Sequence, residues 1–122
     1  MKKFLELGLG LCLAAGAGFG LTMYRGQLMD AACYNQNQSK TGEKVWVQCA
    51  PTNTTTSFAI HTNGRVRMLD DRGNTKAEAA LQQNLLKSDK NGDMPVTVAG
   101  WRHGNTIRVS YIQGHKSNAS VH

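Results

Sequence analysis

The stretch SFAIHTNGRVRMLD, residues 57–70, decides the fold of this chain. Two runs with alternating apolar residues, 57–62 and 65–70, lie on either side of Asn63 and Gly64. An Asn-Gly pair between such runs predicts a two-residue β-hairpin, because both central positions of a type I′ turn need a positive φ angle. The stretch therefore predicts two neighbouring antiparallel strands.

The sequence on the C-terminal side predicts a helix and a second hairpin. Residues 75–87 have apolar side chains at helical spacing, with Asn74 or Thr75 as the cap and residues 71–74 as a turn. The predicted apolar stripe consists of Ala77, Ala80, Leu81, Leu85 and Leu86. Residues 95–101 and 106–113 alternate like strands around a turn at 103–105.

The sequence on the N-terminal side predicts a first strand at residues 22–30, followed by loops. Residues 44–49 form a short apolar run between polar segments, and this run fits either a turn of helix or a short strand. Five strands with one helix between strands 3 and 4 predict a mainly β, five-stranded OB-fold-like barrel. We expect one domain at residues 22–113 and a disordered tail at 114–122.

The first 21 residues have the pattern of a secretory signal peptide. Lys2 and Lys3 precede an apolar stretch at residues 7–21, and small residues at 14–18 supply a cleavage site. This pattern predicts a bacterial protein that is periplasmic or secreted. Two alternatives stay open. One is a lipid-modified Cys12, which the bulky Leu11 before it disfavours; the other is an uncleaved anchor, which would need about 20 apolar residues.

Two cysteines remain when Cys12 is removed with the signal. An even number of cysteines in an oxidising compartment predicts a disulfide, here between Cys33 and Cys49. Closing a loop of about 15 residues contributes about 3 kcal/mol in the loop-entropy model. Free thiols or an intermolecular pair are the alternatives.

Basic residues supply the predicted binding site. Without Lys2, Lys3 and Glu6, 12 Lys and Arg face 7 Asp and Glu, a net charge of +5. OB-folds bind polymers on the face around strands 2 and 3, so we predict an anionic ligand there. The predicted binding residues are Arg25, His61, Arg65 and Arg67, with Tyr34 and Trp101 as available stacking aromatics. The alternative is an ordinary solvated charged face.

No pattern in the chain indicates catalysis or a metal centre. Asp70 and Asp71, with Asp30, are explained by turn and cap chemistry. No Gly-x-Ser-x-Gly elbow is present. We therefore expect a protein that is not an enzyme and has no metal and no cofactor. The four histidines lack the spacing of metal ligands: His61, His103, His115 and His122.

Four stretches of the chain carry a likeness to known proteins. They are GQLMDAAC (26–33), QCAPT (48–52), RVRMLD (65–70) with Gly73 and Asn74 behind it, and the closing hairpin VTVAGWRHGNTIRV (96–109). Through them, most of residues 22–113 resembles a group of small exported bacterial proteins of uncharacterised function. The resemblance implies export and a β-barrel, and it carries no activity or catalytic residue with it.

These observations together predict an exported, non-catalytic binding module of the bacterial cell envelope. Its expected partner is an anionic envelope polymer, a lipid head group or an acidic protein. Nucleic acid is not expected outside the cytosol, and contact with the membrane is expected only through the signal segment. The alternative function is a structural or stress-related accessory protein that acts through protein–protein contacts.

Overall fold

The computed structural model describes residues 21–37 and 45–114. The strands are β1 (Thr22–Asp30), β2 (Phe58–Thr62), β3 (Arg65–Leu69), β4 (Pro95–His103) and β5 (Thr106–Gly114). The helices are α1 (Ala31–Gln36), α2 (Val45–Gln48) and α3 (Asp71–Gln82). All but the last residue of the predicted signal segment and all but the first residue of the predicted tail lie outside the described residues. Within the described residues, no helix is long and apolar enough to cross a membrane.

The five strands form a closed barrel in the order β1-β2-β3-β5-β4. Strands β3 and β5 are parallel, and every other neighbouring pair is antiparallel. Helix α3 connects β3 to β4. The predicted OB-fold-like barrel with one helix between strands 3 and 4 is therefore confirmed.

The central hairpin has the turn that its sequence predicts. Asn63 and Gly64 have φ angles of 52° and 77°, so both central residues are left-handed. The pairing of β2 with β3 runs from Thr62 opposite Arg65 to Ala59 opposite Met68. This register places Ile60 and Leu69 on the inner side of the barrel, where both are buried.

Strand β1 closes the barrel because it pairs with two partners. Its second half pairs with β2 from Gln27 onward, and its first half pairs with β4 up to Gln27. The strand changes partner at Gln27, directly after Gly26, where an added Cβ would collide with the backbone carbonyl of His61. Glycine at this position therefore allows the close approach that closure requires.

The inner side chains of all five strands meet α3 in one apolar core. Its fully buried strand residues include Leu28, Phe58, Ile60, Val96, Val98 and Ile107. Helix α3 adds Ala77 and Ala80, and the loop after it adds Leu86 and Met94. Helix α3 therefore closes one end of the barrel, as the stripe of small apolar residues predicts.

Helix α3 begins at Asp71, not at residue 75 as the sequence predicted. Its cap is Asp70, whose carboxylate accepts the backbone N–H of Gly73 at 2.9 Å. Residues 71–74 are the first turn of the helix, because Gly73 packs so closely against Val109 that a Cβ would collide with it. Asn74 uses its side chain to accept the N–H of Phe58 at 2.9 Å instead of capping the helix.

The helix also ends earlier than its apolar stripe indicates. It stops at Gln82, and Asn84 follows with a φ angle of 60°, a left-handed conformation that asparagine tolerates. Leu85 is consequently 61% exposed, while Leu86 is buried in the core from outside the helix.

Replacing Gly26 with alanine is expected to destabilise the barrel by about 3 kcal/mol, because the obstacle is a backbone carbonyl that cannot turn aside. Chemical denaturation followed by circular dichroism measures the loss. Gly64→Ala is the matched control: its Cβ meets nothing, and the left-handed φ costs only about 1 kcal/mol. Equal losses in the two variants would contradict this account of closure.

Candidate functional site

The described part of the chain between β1 and β2 packs on the outer face of strands β1, β2 and β3. We call this segment the disulfide lobe; its described residues are 31–37 and 45–57, and it contains α1 and α2. A second apolar cluster joins the lobe to the barrel: Met29, Ala31 and Ala59, with Tyr34, Val45, Trp46, Val66 and Met68 packed around them. The outer face that OB-folds use for polymers is therefore occupied here by the protein's own chain.

The predicted disulfide joins the two parts of the lobe. Cys33 in α1 and Cys49 just after α2 are bonded, with their Cα atoms 5.5 Å apart and 16 positions apart in sequence. Both short helices are therefore held together although neither is long enough to be stable alone. A disulfide of this kind is compatible with a protein exported to an oxidising compartment.

Asp30 attaches the lobe to the end of β1. Its carboxylate accepts the N–H of Cys33 at 2.9 Å as the cap of α1, and the hydroxyl of Thr55 at 2.7 Å. Its backbone N–H donates to the carbonyl of Cys49 at 2.7 Å. Because both carboxylate oxygens have structural partners, Asp30 acts here as a cap and a junction.

His61 lies on the outer face of β2 under the disulfide lobe. Its ring stacks on Trp46 with a centroid distance of 4.2 Å, and its Nδ1 lies 3.4 Å from Oε1 of Gln27. Burial lowers the pKa of His61 from its ordinary value of 6.5, because the charged imidazolium loses hydration. His61 is thus part of the packing between lobe and barrel.

The four predicted binding residues do not form one patch. His61 pairs across the sheet with Gln27 and Val66, which share its outer face. Arg65 and Arg67 pair instead with Thr62 and Ile60, on the inner side of the sheet. The sequence showed correctly that the two arginines share a face. His61 lies on the opposite face, because the two-residue turn pairs Thr62 with Arg65 and successive side chains of a strand alternate.

Arg25 lies on the outer face of β1, two positions before Gln27, the residue that pairs with His61, and not on the inner side with the other two arginines. It is exposed and pairs with Thr97 of β4, so it belongs to the outer face of β1, β4 and β5. The other stacking aromatics predicted from sequence are also divided: Tyr34 packs within the disulfide lobe, and Trp101 is exposed on the same outer face as Arg25.

Arg65 and Arg67 instead lie at the end of the barrel opposite α3, together with Arg102. Helix α3 begins just after β3 and packs near its last residue, Leu69, whereas Arg67 and Arg65 lie earlier in the strand, farther from the helix. The N–H of Met68 donates to the carbonyl of Asn105 at 3.0 Å, which brings the β4–β5 hairpin beside Arg67. In that hairpin Arg102 pairs with the core residue Ile107. We call Arg65, Arg67 and Arg102 the arginine rim.

Carboxylates are concentrated at the other end of the barrel. Within the described residues they are Asp30 at the end of β1, Asp70, Asp71 and Glu78 at α3, and Asp89 and Asp93 in the loop before β4. Arg67 is half-buried and Arg65 and Arg102 are exposed, and no carboxylate of the described residues is in an ion pair with this rim. Within the described residues, the rim is therefore a region of positive charge without a paired carboxylate.

The residues considered for catalysis or metal binding have structural surroundings instead. Asp70 accepts N–H groups from Gly73 and Val109, which ties α3 to β5. In the described residues, no group of three or more His, Cys, Asp or Glu side chains could hold a metal ion. His103 lies exposed at the end of β4, and His115 and His122 lie outside the described residues.

Comparisons with protein-family models, with curated proteins and with solved structures found no match for this chain. The candidate site is therefore defined by geometry and charge. Arg102 is the member that sequence reasoning missed. The sequence feature that could have identified Arg102 is its position beside the second hairpin turn. In an OB-fold-like barrel this turn lies at the same end as the turn of the first hairpin.

The lowered pKa of His61 predicts a titration midpoint below 6.5, and Trp46→Ala is expected to raise it toward 6.5 by restoring hydration. Proton NMR of the imidazole measures both midpoints. The pKa of His61 is lower in the folded state than in the unfolded state. The stability that the neutral imidazole contributes is therefore fully present above pH 6.5 and is lost as the pH falls below it. His61→Gln is expected to remove that pH dependence. An unchanged midpoint in Trp46→Ala would contradict the role given to the stack.

The double variant Cys33→Ser with Cys49→Ser is expected to lose about 3 kcal/mol of stability and to keep its barrel. The barrel core contains no residue of the disulfide lobe, so only the lobe loses its constraint. Far-ultraviolet circular dichroism reports the barrel, and the emission of Trp46 in a Trp101→Phe background reports the lobe. Simultaneous loss of both signals under native conditions would show that barrel and lobe cannot be separated.

Proposed function

We propose that this protein is an exported, non-catalytic binding module of the bacterial cell envelope that holds an anionic ligand at the arginine rim. The observation that carries the proposal is the segregation of charge. Three arginines lie at one end of the barrel, and all carboxylates of the described residues lie elsewhere. No carboxylate of the part of the chain that the structure describes competes with an anion that approaches this end.

The chemistry of arginine favours a ligand with phosphate or carboxylate groups. A guanidinium group donates two parallel hydrogen bonds to either kind of group, and three neighbouring ones fit a ligand with several charges. The half-buried Arg67 loses less of its attraction to solvent screening than an exposed charge does. Export supports an envelope polymer rather than a nucleic acid as the ligand, and the disulfide is compatible with export.

The arrangement supports binding and offers no reaction. The rim groups are guanidinium ions, which remain protonated and cannot act as a general base. The carboxylates of Asp30 and Asp70, which could do acid–base work, cap α1 and α3 at the far end of the barrel: both oxygens of Asp30 and Oδ1 of Asp70 accept hydrogen bonds there. The best-supported role is therefore recognition through charge.

Inorganic polyphosphate and polyglutamate serve as the two probes, one for each chemistry. The full chain is expected to bind at least one of them, and Arg65→Ala with Arg67→Ala is expected to weaken binding at least about tenfold, because charge-assisted hydrogen bonds are lost. The slope of log affinity against log salt is expected to become shallower by about one for each arginine removed. Isothermal titration calorimetry at several salt concentrations measures both effects.

The matched control is Arg72→Ala with Lys76→Ala, which removes the same charge from exposed positions on α3 at the other end. This control is expected to keep most of the affinity. Equal weakening in both double variants would mean that only net charge matters, and the proposed site would be rejected.

A further inference from the structure

The outer face of β1, β4 and β5 is exposed and apolar. Met23 is 50% exposed, Trp101 44% and Tyr111 40%. Met23 and Tyr111 both pair with Ala99, and the phenol of Tyr111 lies 3.5 Å from the sulfur of Met23. The small, fully buried Ala99 lets the two larger side chains meet above it.

Exposed apolar bulk is concentrated on this side of the molecule. The described residues contain five exposed large hydrophobic residues, and only Leu85 lies elsewhere; the others are Leu21, Met23, Trp101 and Tyr111. We call these four the apolar face. A concentration of this kind marks an interaction site more often than scattered exposed residues do. The disulfide lobe already covers the other outer face of the barrel.

Two arginines accompany the apolar face. Arg25 pairs with Thr97, and Arg108 pairs with Trp101, so both share the outer side with the aromatic rings. Both arginines are exposed, and the one carboxylate that the described part of these three strands contains, Asp30 at the end of β1, caps α1. A ligand complementary to this face would be both apolar and anionic.

The position of the N-terminal stretch identifies which partner combines these properties. The apolar sequence of residues 7–21 ends at Leu21, two residues before Met23. The chain thus enters the barrel through the apolar face. Tryptophan and tyrosine are the aromatics enriched where hydrocarbon meets water in a bilayer, and each arginine near an anionic bilayer strengthens attachment.

We infer that the apolar face docks on the surface of an anionic lipid bilayer, with Trp101 and Tyr111 at the level of the head groups and Arg25 and Arg108 against lipid phosphates. This docking is independent of the arginine rim, which shares no residue with the apolar face. The folded domain then contacts the membrane itself, in addition to any contact made by the signal segment.

Trp101 reports the docking directly when Trp46→Phe makes it the only tryptophan in the chain, which contains two. The full chain is mixed with vesicles of phosphatidylcholine and phosphatidylglycerol that carry brominated acyl chains. We expect the emission of Trp101 to shift to shorter wavelength and to be quenched. Vesicles of phosphatidylcholine alone are expected to give a much smaller effect, because they lack net negative charge.

Charge reversal separates docking from tethering by the N-terminal stretch. Arg25→Glu with Arg108→Glu keeps the whole N-terminal sequence and is expected to lower the ratio of docked to undocked protein at least about thirtyfold, because each basic residue near an anionic surface contributes roughly fivefold. Arg72→Glu with Lys76→Glu, on α3, is the matched control and is expected to leave quenching unchanged. Polyphosphate binding is measured in parallel. Loss of polyphosphate binding reports on the arginine rim, and loss of quenching by vesicles reports on the apolar face, so the two proposals can fail separately.

Three results would overturn the inference. They are an emission of Trp101 that vesicles do not change, quenching that is equal in the two charge-reversed chains, and shielding of Trp101 by a second copy in the absence of lipid. If Trp46→Phe disturbs the lobe, quenching of the natural chain compared with that of Trp101→Phe gives the same answer.

Discussion

Closure of the barrel at Gly26 is the constraint on which the other features depend. One half of strand β1 must pair with β2 and the other half with β4. At Gly26, beside the change of partner, there is no space for a side chain. Closure fixes which side chains point inward on every strand. It thereby sends Arg65 and Arg67 to the open end of the barrel and leaves Met23 and Arg25 on its outer side. The placement of the arginine rim and of the apolar face therefore depends on barrel closure.

The sequence predicted those elements whose signals are local. The central hairpin follows from Asn63 and Gly64, and the second from alternating runs around a short turn, so five strands and their order along the chain were accessible. The residue at which α3 begins could not be predicted in this way. Gly73 and Asn74 are typical turn residues, and they lie inside a helix because one packs on Val109 and the other binds the N–H of Phe58. Both reasons are tertiary contacts that no local pattern contains.

The candidate site was predictable to the same degree. Alternation shows that Arg65 and Arg67 share a face, and composition shows that the chain is basic. Which face points inward depends on the register between β2 and β3, and a shift of one residue would have placed His61 with the arginines. Arg102 groups with these arginines because β3 pairs with β5 next to the second hairpin. This pairing joins parts of the chain that are distant in sequence. The sequence likewise did not predict that the disulfide lobe covers the outer face of β2, because this depends on the packing of Trp46 on His61.

The pairing of β1 with β4 also determines the order in which the structure can be completed. When a chain emerges with its N-terminus first, β1, the disulfide lobe and the central hairpin are all available before Pro95 appears. The half of β1 that awaits β4 then has an unpaired hydrogen-bonding edge, and such an edge can pair with another chain. Cys33 and Cys49 are already present at that stage and can bond to each other. The last strands to appear therefore end the period in which this small barrel is most exposed to aggregation.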